Sequence, residues 1–300
     1  LFYIAFDPIY IHPIPEGHRF PMIKYELIPE QLKHEGIITK ANLYSPEEIE
    51  EDIILLSHNQ SYWERLRDLE LSPAEIRRSG FSLSALLIER ERKIARGTID
   101  GSLYALNHGI AFNIAGGTHH AGSNWAEGFC LLNDQAIAAN FLLNKAYAKR
   151  ILIVDLDVHQ GNGTAEIFAN EESVFTFSMH GEKNFPFRKE SSDLDIGLND
   201  GIGDHEYLGI LAKNLNHILE SFEPDFVFYL AGVDVLATDK LGKLSLSIPG
   251  CRKRDEFVLS SCKRLDIPVQ VSMGGGYSPK ITDILEAHCN TFRVAHDLYY

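Results

Sequence analysis

A chain of 300 residues with 45% hydrophobic content buries a substantial core, which excludes a disordered or fibrous protein. A net charge of -14 argues against a nucleic-acid-binding surface, because nucleic acid is held mainly by Lys and Arg on phosphate. No apolar run reaches membrane-spanning length, no basic-then-apolar signal segment opens the sequence, and Cys130, Cys251, Cys262 and Cys289 are too scattered for a CxxC metal site or a disulfide framework, so a reducing cytoplasmic setting away from membranes is expected.

The opening FYIAF, residues 2–6, reads as a strand, and the proline-rich HPIPEGHRFP runs into a helical stretch over 18–33. From Ser45 to Ile99 the pattern is helical. S-P-E-E at Ser45 and S-P-A-E at Ser72 each combine an N-cap serine, a first-turn proline and a capping-box glutamate. Residues 81–106 continue as helix, with the mixed charges of 89–93 on a solvated face. After Asn107 and Gly109, strands are expected at 110–115, 151–155, 173–178, 225–231 and 268–272. Helices are expected near 133–148, 204–221, 250–265 and 279–298, the last capped by Ser278 with Pro279 in its first turn. Nearly continuous apolar strands separated by helices imply a mainly parallel sheet covered on both faces. The expected fold is one α/β domain over 1–300, with a helical N-terminal layer.

In open α/β sheets, ligands bind beyond the carboxyl ends of the strands. The segments in those places are GGTHHAGSNWAEGFC, LDVHQGNG, GVDVLATD and MGGGYSP, each joining glycine to His, Asp or Tyr. Within the second, Asp155, Asp157 and His159 alternate where the apolar run of 151–155 ends, so in extended chain they share a face. Asp157 and His159 offer oxygen and nitrogen to a divalent metal, and Asp234 supplies a third ligand. Three protein ligands leave a position for water, as in catalytic rather than structural zinc sites, and bound zinc brings the pKa of its water to about 7. His119 and His120 provide a general base and acid, and Tyr277, on the Gly274-Gly275-Gly276 arm, a donor to a developing oxyanion. Each alone has a bland reading: a solvated histidine pair, an aspartate helix cap, a packed tyrosine, a tight turn. Their joint placement points to hydrolysis of a carbonyl compound.

GGTHHAGSNWAEGFCLLND, DLDVHQGNGT, AGVDVLATDKLGKLSLS and GGGYSP, preceded by EGHRFPMIKY, resemble the successive motifs of the zinc-dependent histone deacetylase superfamily, with its arginase/deacetylase fold. The resemblance covers residues 13–277, and HQGNG with the later K-R-D-E at Lys253 to Glu256 is most similar to the class IV enzymes and their bacterial relatives. It implies zinc on Asp157, His159 and Asp234, a catalytic pair His119 and His120, and a carbonyl-polarising Tyr277. It further implies an acyl-lysine tunnel at Gly128, Phe129 and Phe185 with Leu241 at the rim. A structural potassium ion would take the side chains of Asp155 and Ser178 and backbone oxygens of Asp157, His159 and Met179. Asn162 stands where class I members carry a second aspartate behind the histidines. Asp155 is therefore expected to support His119, and Asn162 to leave His120 the weaker base. No counterpart is identified for the class I rim aspartate.

The implied activity is a zinc amidohydrolase that removes an acetyl or longer acyl group from lysine in a protein or from a small acylated amine. An acetylpolyamine amidohydrolase is the alternative, favoured by the acidic composition, and a long fatty-acyl substrate is a third. A ureohydrolase would need more ligating aspartates. A non-catalytic acyl-lysine binding module would lack a ligand, a histidine or the tyrosine.

Overall fold

The computed structural model describes residues 2–300. Its strands are β1 (Ile4–Ala5), β2 (Leu43–Tyr44), β3 (Ile110–Asn113), β4 (Ile151–Asp155), β5 (Val174–Gly181), β6 (Leu194–Leu198), β7 (Phe226–Leu230) and β8 (Val269–Ser272). They form one sheet in the order β2-β1-β3-β8-β7-β4-β5-β6, and every pairing is parallel. The four central strands β3, β8, β7 and β4 are buried at every residue, which is why they read as mostly apolar runs.

The helices are α1 (Lys24–His34), α2 (Glu51–Ile54), α3 (Gln60–Arg67), α4 (Pro73–Ser79), α5 (Ala85–His108), α6 (Asp134–Asn144), α7 (Asn162–Ile167), α8 (Asp204–Phe222), α9 (Ile248–Arg264) and α10 (Ile281–Tyr299). Strand β3 shows that both faces of the sheet are covered. Asn113 sends its side-chain amide to Ile94 O of α5 at 2.9 Å, while its neighbour Phe112 stacks on Phe292 of α10 with ring centroids 4.3 Å apart. Adjacent strand residues point to opposite faces, so α5 and α10 lie on opposite sides. Among the described residues, no helix is long and apolar enough to cross a membrane. The four cysteines are buried free thiols.

Several local expectations need correction. The opening strand spans only Ile4–Ala5, and helix α1 begins at Lys24 rather than at residue 18. Ser45 caps no helix: its hydroxyl donates to Asp7, residues 45–50 are irregular, and Leu43–Tyr44 form an unexpected strand. The similar signal at Ser72 does work, since Ser72 and Glu75 make a reciprocal capping box. Strand β6 also escapes the apolar pattern, because it lies at the sheet edge and is mostly half-buried, with Asp195 and Gly197 interrupting it. Ser278 pairs with the Thr238 hydroxyl at 2.8 Å, and Lys280 stands at the N-cap of α10 without a side-chain cap.

Candidate active site

The four loops singled out in the sequence follow β3, β4, β7 and β8, which are the four adjacent central strands. Because all are parallel, their carboxyl ends open on one edge, and the loops converge there. Asp157 and His159 lie between β4 and α7, Asp234 lies beyond β7, the histidine pair follows β3, and Tyr277 follows β8.

Asp157, His159 and Asp234 are buried, and one ligand atom from each falls within 4.8 Å of the others; this is the group of metal-ligating type found among the described residues. His159 Nδ1 is 2.9 Å from Asp157 Oδ1 and 3.2 Å from Asp234 Oδ2. Backbone amides hold the carboxylates in place: Gly275 N donates to Asp157 Oδ2 at 2.9 Å and Val158 N to Asp234 Oδ1 at 2.9 Å. Asp234 Oδ2 is fully buried and accepts no hydrogen bond among the described residues. At Gly275, a Cβ would stand 2.1 Å from Asp234 Oδ2 and 2.7 Å from Asp157 Oδ2, so only glycine leaves this space open. Burial, the Asp157 charge and other neighbours push the Asp234 carboxyl up to about 7. For His159, burial is overcome by Asp157 and Asp234, which push it up to about 10. The arrangement thus attracts a cation, and two carboxylates with one imidazole suit zinc.

His119 and His120 lie side by side, ring centroids 4.1 Å apart, and are held differently. His119 Nδ1 is 2.7 Å from Asp155 Oδ2, and His120 Nδ1 is 2.7 Å from Asn162 Oδ1. For His119, burial favours the neutral ring, but the charge and hydrogen bond of Asp155 raise its pKa overall. His120 is driven well below the ordinary histidine range by burial and by its histidine neighbours, which Asn162 only partly offsets.

A cavity of about 440 Å³ leads to these groups and is lined by Gly128, Phe129, Phe185, Leu241, His120, His159 and Tyr277, among others. The four residues expected at the tunnel and rim are therefore together. Gly128 has φ +55°, and a Cβ there would lie 2.6 Å from the His120 ring, so the tunnel wall needs glycine at this point. Helix α4 pins that wall: Gly128 N donates to Arg78 O at 3.1 Å and Phe129 N to Ser79 O at 2.7 Å.

A histone deacetylase domain pattern matches residues 18–292. The chain belongs to the histone deacetylase family. It is 45% identical over 298 residues to an uncharacterised protein of Picosynechococcus sp., covering 99% of each chain. It is 28% identical over 274 residues to histone deacetylase 2 of Arabidopsis thaliana, covering 88% of this chain and 70% of that one. A crystal structure of an HDAC homologue complexed with SAHA superposes with a TM-score of 0.82 at 25% identity, covering 98% of this chain and 83% of that chain. Family and fold make the chain a deacetylase-type amide hydrolase.

Several supports of this deacetylase site were not read from the sequence. Glu127 accepts the Asn162 amide at 2.8 Å and takes Arg78 Nε on its other oxygen at 2.8 Å. A carboxylate accepts only, so it orients the Asn162 amide with Oδ1 toward His120. That oxygen also only accepts, which places a hydrogen on His120 Nδ1 and leaves Nε2 with a lone pair. Asp239 binds the amides of Tyr277, Leu241 and Gly242 at 2.6, 2.8 and 2.9 Å, tying the phenol arm to the rim. Lys24, buried between the rings of Phe20 and Tyr25, donates to Gly274 O at 2.7 Å. Burial lowers its pKa to about 8 against the pull of Asp234, Asp157 and Asp239. Arg254 donates to Gly232 O at 2.6 Å and Leu156 O at 3.3 Å, joining the loops after β7 and β4. The signal for Arg254 was the K-R-D-E motif; Glu127 and Asp239 lie inside motifs already quoted but away from the residues singled out.

Proposed function

We propose that this deacetylase removes an acyl group from a lysine side chain, with His120 moving the proton. The observation that carries the reading is a single cavity that ends on His120, His159 and Tyr277 with Asp157 and Asp234 directly behind, a set that a mere binding module does not require. Zinc on Asp157, His159 and Asp234 would supply Lewis-acid activation of a carbonyl oxygen and of a water.

The tunnel walls of Phe129, Phe185 and Gly128 hold the methylene stem of lysine, with Leu241 at the rim and the Gly128 carbonyl accepting the substrate N–H. Tyr277 donates its hydroxyl to the amide oxygen. Burial, with the charges of Asp157 and Asp234, holds its phenol protonated well above the usual tyrosine range. His120 lines the open cavity and His119 only its inner end, so His120 Nε2 takes the proton as water attacks the carbonyl carbon. The same nitrogen returns that proton to the amine as the C–N bond breaks, leaving a carboxylate and free lysine. His119, held by Asp155 at 2.7 Å, whose charge raises the proton affinity of the ring, is placed to stabilise negative charge building on the reacting centre. Asp155 and Ser178 stand opposite each other in register on β4 and β5. Their buried oxygens suit the hard monovalent ion of the family, and we assign potassium there with the backbone oxygens of Asp157, His159 and Met179.

One zinc-loaded sample tested on acetyl-, octanoyl- and myristoyl-lysine peptides beside acetylspermidine checks the reading and sets the acyl length, where the class IV likeness favours longer chains. Turnover of acetylspermidine alone transfers the assignment to polyamines; no turnover of any substrate removes it.

The division of labour predicts the effect of Asn162→Asp. A carboxylate beside His120, faced by Glu127, raises the proton affinity of the ring. A base works only when unprotonated, so the acidic limb of the kcat/KM profile is expected to move to higher pH. A limb that stays in place rejects His120 as the base.

A further inference from the structure

Although the chain carries 42 acidic and 28 basic residues, the mouth of its cavity has the opposite sign. Arg19, Arg77, Arg78, Lys183 and Lys243 all line it, and among the described lining residues there is no Asp or Glu. They come from separate places: the loop before α1, helix α4, the segment after β5, and the loop beyond Asp239. All five are exposed. Arg78 is paired with Glu127 at 2.8 Å, and Lys183 stands 3.7 Å from Asp200. Arg19, Arg77 and Lys243 have no ion-pair partner among the described residues. Beside them Phe187, 88% exposed, meets the tunnel ring Phe185 edge-on at 6.3 Å.

From this we infer that the mouth selects acyl-lysine lying in acidic peptide segments with an apolar neighbour, and disfavours both basic tails and polyamines. The inference rests on the lysine-deacylase reading and narrows its substrate class. The physical reason is the shape of the site. The inner part of the cavity, walled by Gly128, Phe129 and Phe185 and ending on His120, His159 and Tyr277, receives the acyl-lysine side chain, so the residues flanking that lysine remain at the outer part, which the five basic side chains line. There, peptide carboxylates come close to unpaired guanidinium and ammonium groups while a second positive charge is repelled. A funnel of one sign also raises the local concentration of oppositely charged substrate, which speeds capture. The net acidity of the whole chain works the other way only at long range, where salt screens it within about 8 Å. Phe187 offers a face to an apolar residue next to the modified lysine.

The test uses the zinc-loaded protein and acetyl-lysine peptides of one length with Asp/Glu, Ser/Gln or Lys/Arg flanks, each with a phenylalanine beside the modified lysine. The acidic peptide is expected to show kcat/KM about tenfold above the neutral one, with the basic peptide and acetylspermidine below it. The ranking should compress between 20 mM and about 300 mM salt. In an Arg19→Glu, Arg77→Glu, Lys243→Glu triple variant, checked for folding by its melting curve, the order should reverse relative to the neutral peptide. Equal rates across the three flanks, or a basic peptide that is fastest, overturn the inference. Anisotropy binding of the same peptides separates the two levels. Ranked binding without hydrolysis keeps the rim and removes the deacylase reading, whereas hydrolysis without ranking does the reverse. Sedimentation with phosphatidylserine vesicles together with unranked peptides assigns the basic mouth to a bilayer and overturns the peptide assignment.

Discussion

Replacing Tyr277 with phenylalanine is expected to lower kcat about 100-fold or more while leaving KM within a few-fold of the original. The Tyr277 ring packs edge-on to Phe20 at 6.0 Å and against Phe129 at 6.2 Å, and its backbone amide is held by Asp239, so the variant keeps the arm in place and loses only the hydroxyl. What that hydroxyl supplies is a hydrogen bond to an oxygen whose negative charge grows toward the transition state, at the inner end of the cavity. An interaction stronger in the transition state than in the ground state appears in kcat rather than KM. Steady-state kinetics on one acetyl-lysine peptide decides it. Near-normal kcat removes Tyr277 from the reaction, and a large rise in KM with unchanged kcat makes it a binding residue only.

The second large effect concerns Asp234 and sets activity against stability. Asp234→Asn is expected to cost on the order of 10³-fold or more in kcat/KM, because the neutral amide weakens metal binding and with it several kcal/mol of transition-state stabilisation. Without metal the same change should make the fold more stable, by about 1–2 kcal/mol, because it relieves the repulsion between two buried carboxylates while Asp157 still pairs with His159 at 2.9 Å. In the metal-free protein, Asp157 and Asp234 are both buried around one imidazole, and Asp234 Oδ2 has no hydrogen bond among the described residues. Asparagine keeps the oxygen that accepts the Val158 amide and removes one of the two like charges. The order of melting temperatures should therefore cross: metal-free variant above metal-free original, and zinc-loaded original above its own metal-free form. A metal-free variant less stable than the metal-free original would make Asp234 a structural hydrogen-bonding residue instead of a ligand. Treatment with a chelator should take the original protein to the activity of the variant, and added zinc should restore it.

The parts of the site that the sequence reveals are those that follow from position along a parallel strand. Asp157, His159, Asp234, His119, His120 and Tyr277 each stand just beyond an apolar run, and any parallel arrangement of those runs brings them to one edge. The histidine partners Asp155 and Asn162 were legible for the same reason, being in the β4 motif. The charge of the rim was not legible, although Leu241 was expected there. Arg77 and Arg78 belong to a well-capped helix whose sequence signals only a helix, and Lys183 and Lys243 sit in loops about 60 residues apart. Nothing in local spacing tells that these loops meet at one opening. Overall composition even pointed the other way, since a net charge of -14 suggested a polycation where the mouth is basic. The short edge elements were lost for a different reason. Strands of two residues, or strands open to solvent, lack the apolar run that marks β3, β4, β7 and β8.

By itself, the sequence determined the parallel core and placed Asp157, His159, Asp234, the histidine pair and Tyr277 at one edge of it, because strand periodicity and short motifs encode which residues end up at a strand terminus. Only the tertiary structure decided how these groups are tuned and what they meet. It put Glu127 behind Asn162, Asp239 under Tyr277 and Lys24 against the glycine arm, and it gathered five positive side chains around the opening of an acidic protein. Such contacts join residues tens to hundreds of positions apart, and their strength depends on burial and distance, neither of which a linear order of residues contains.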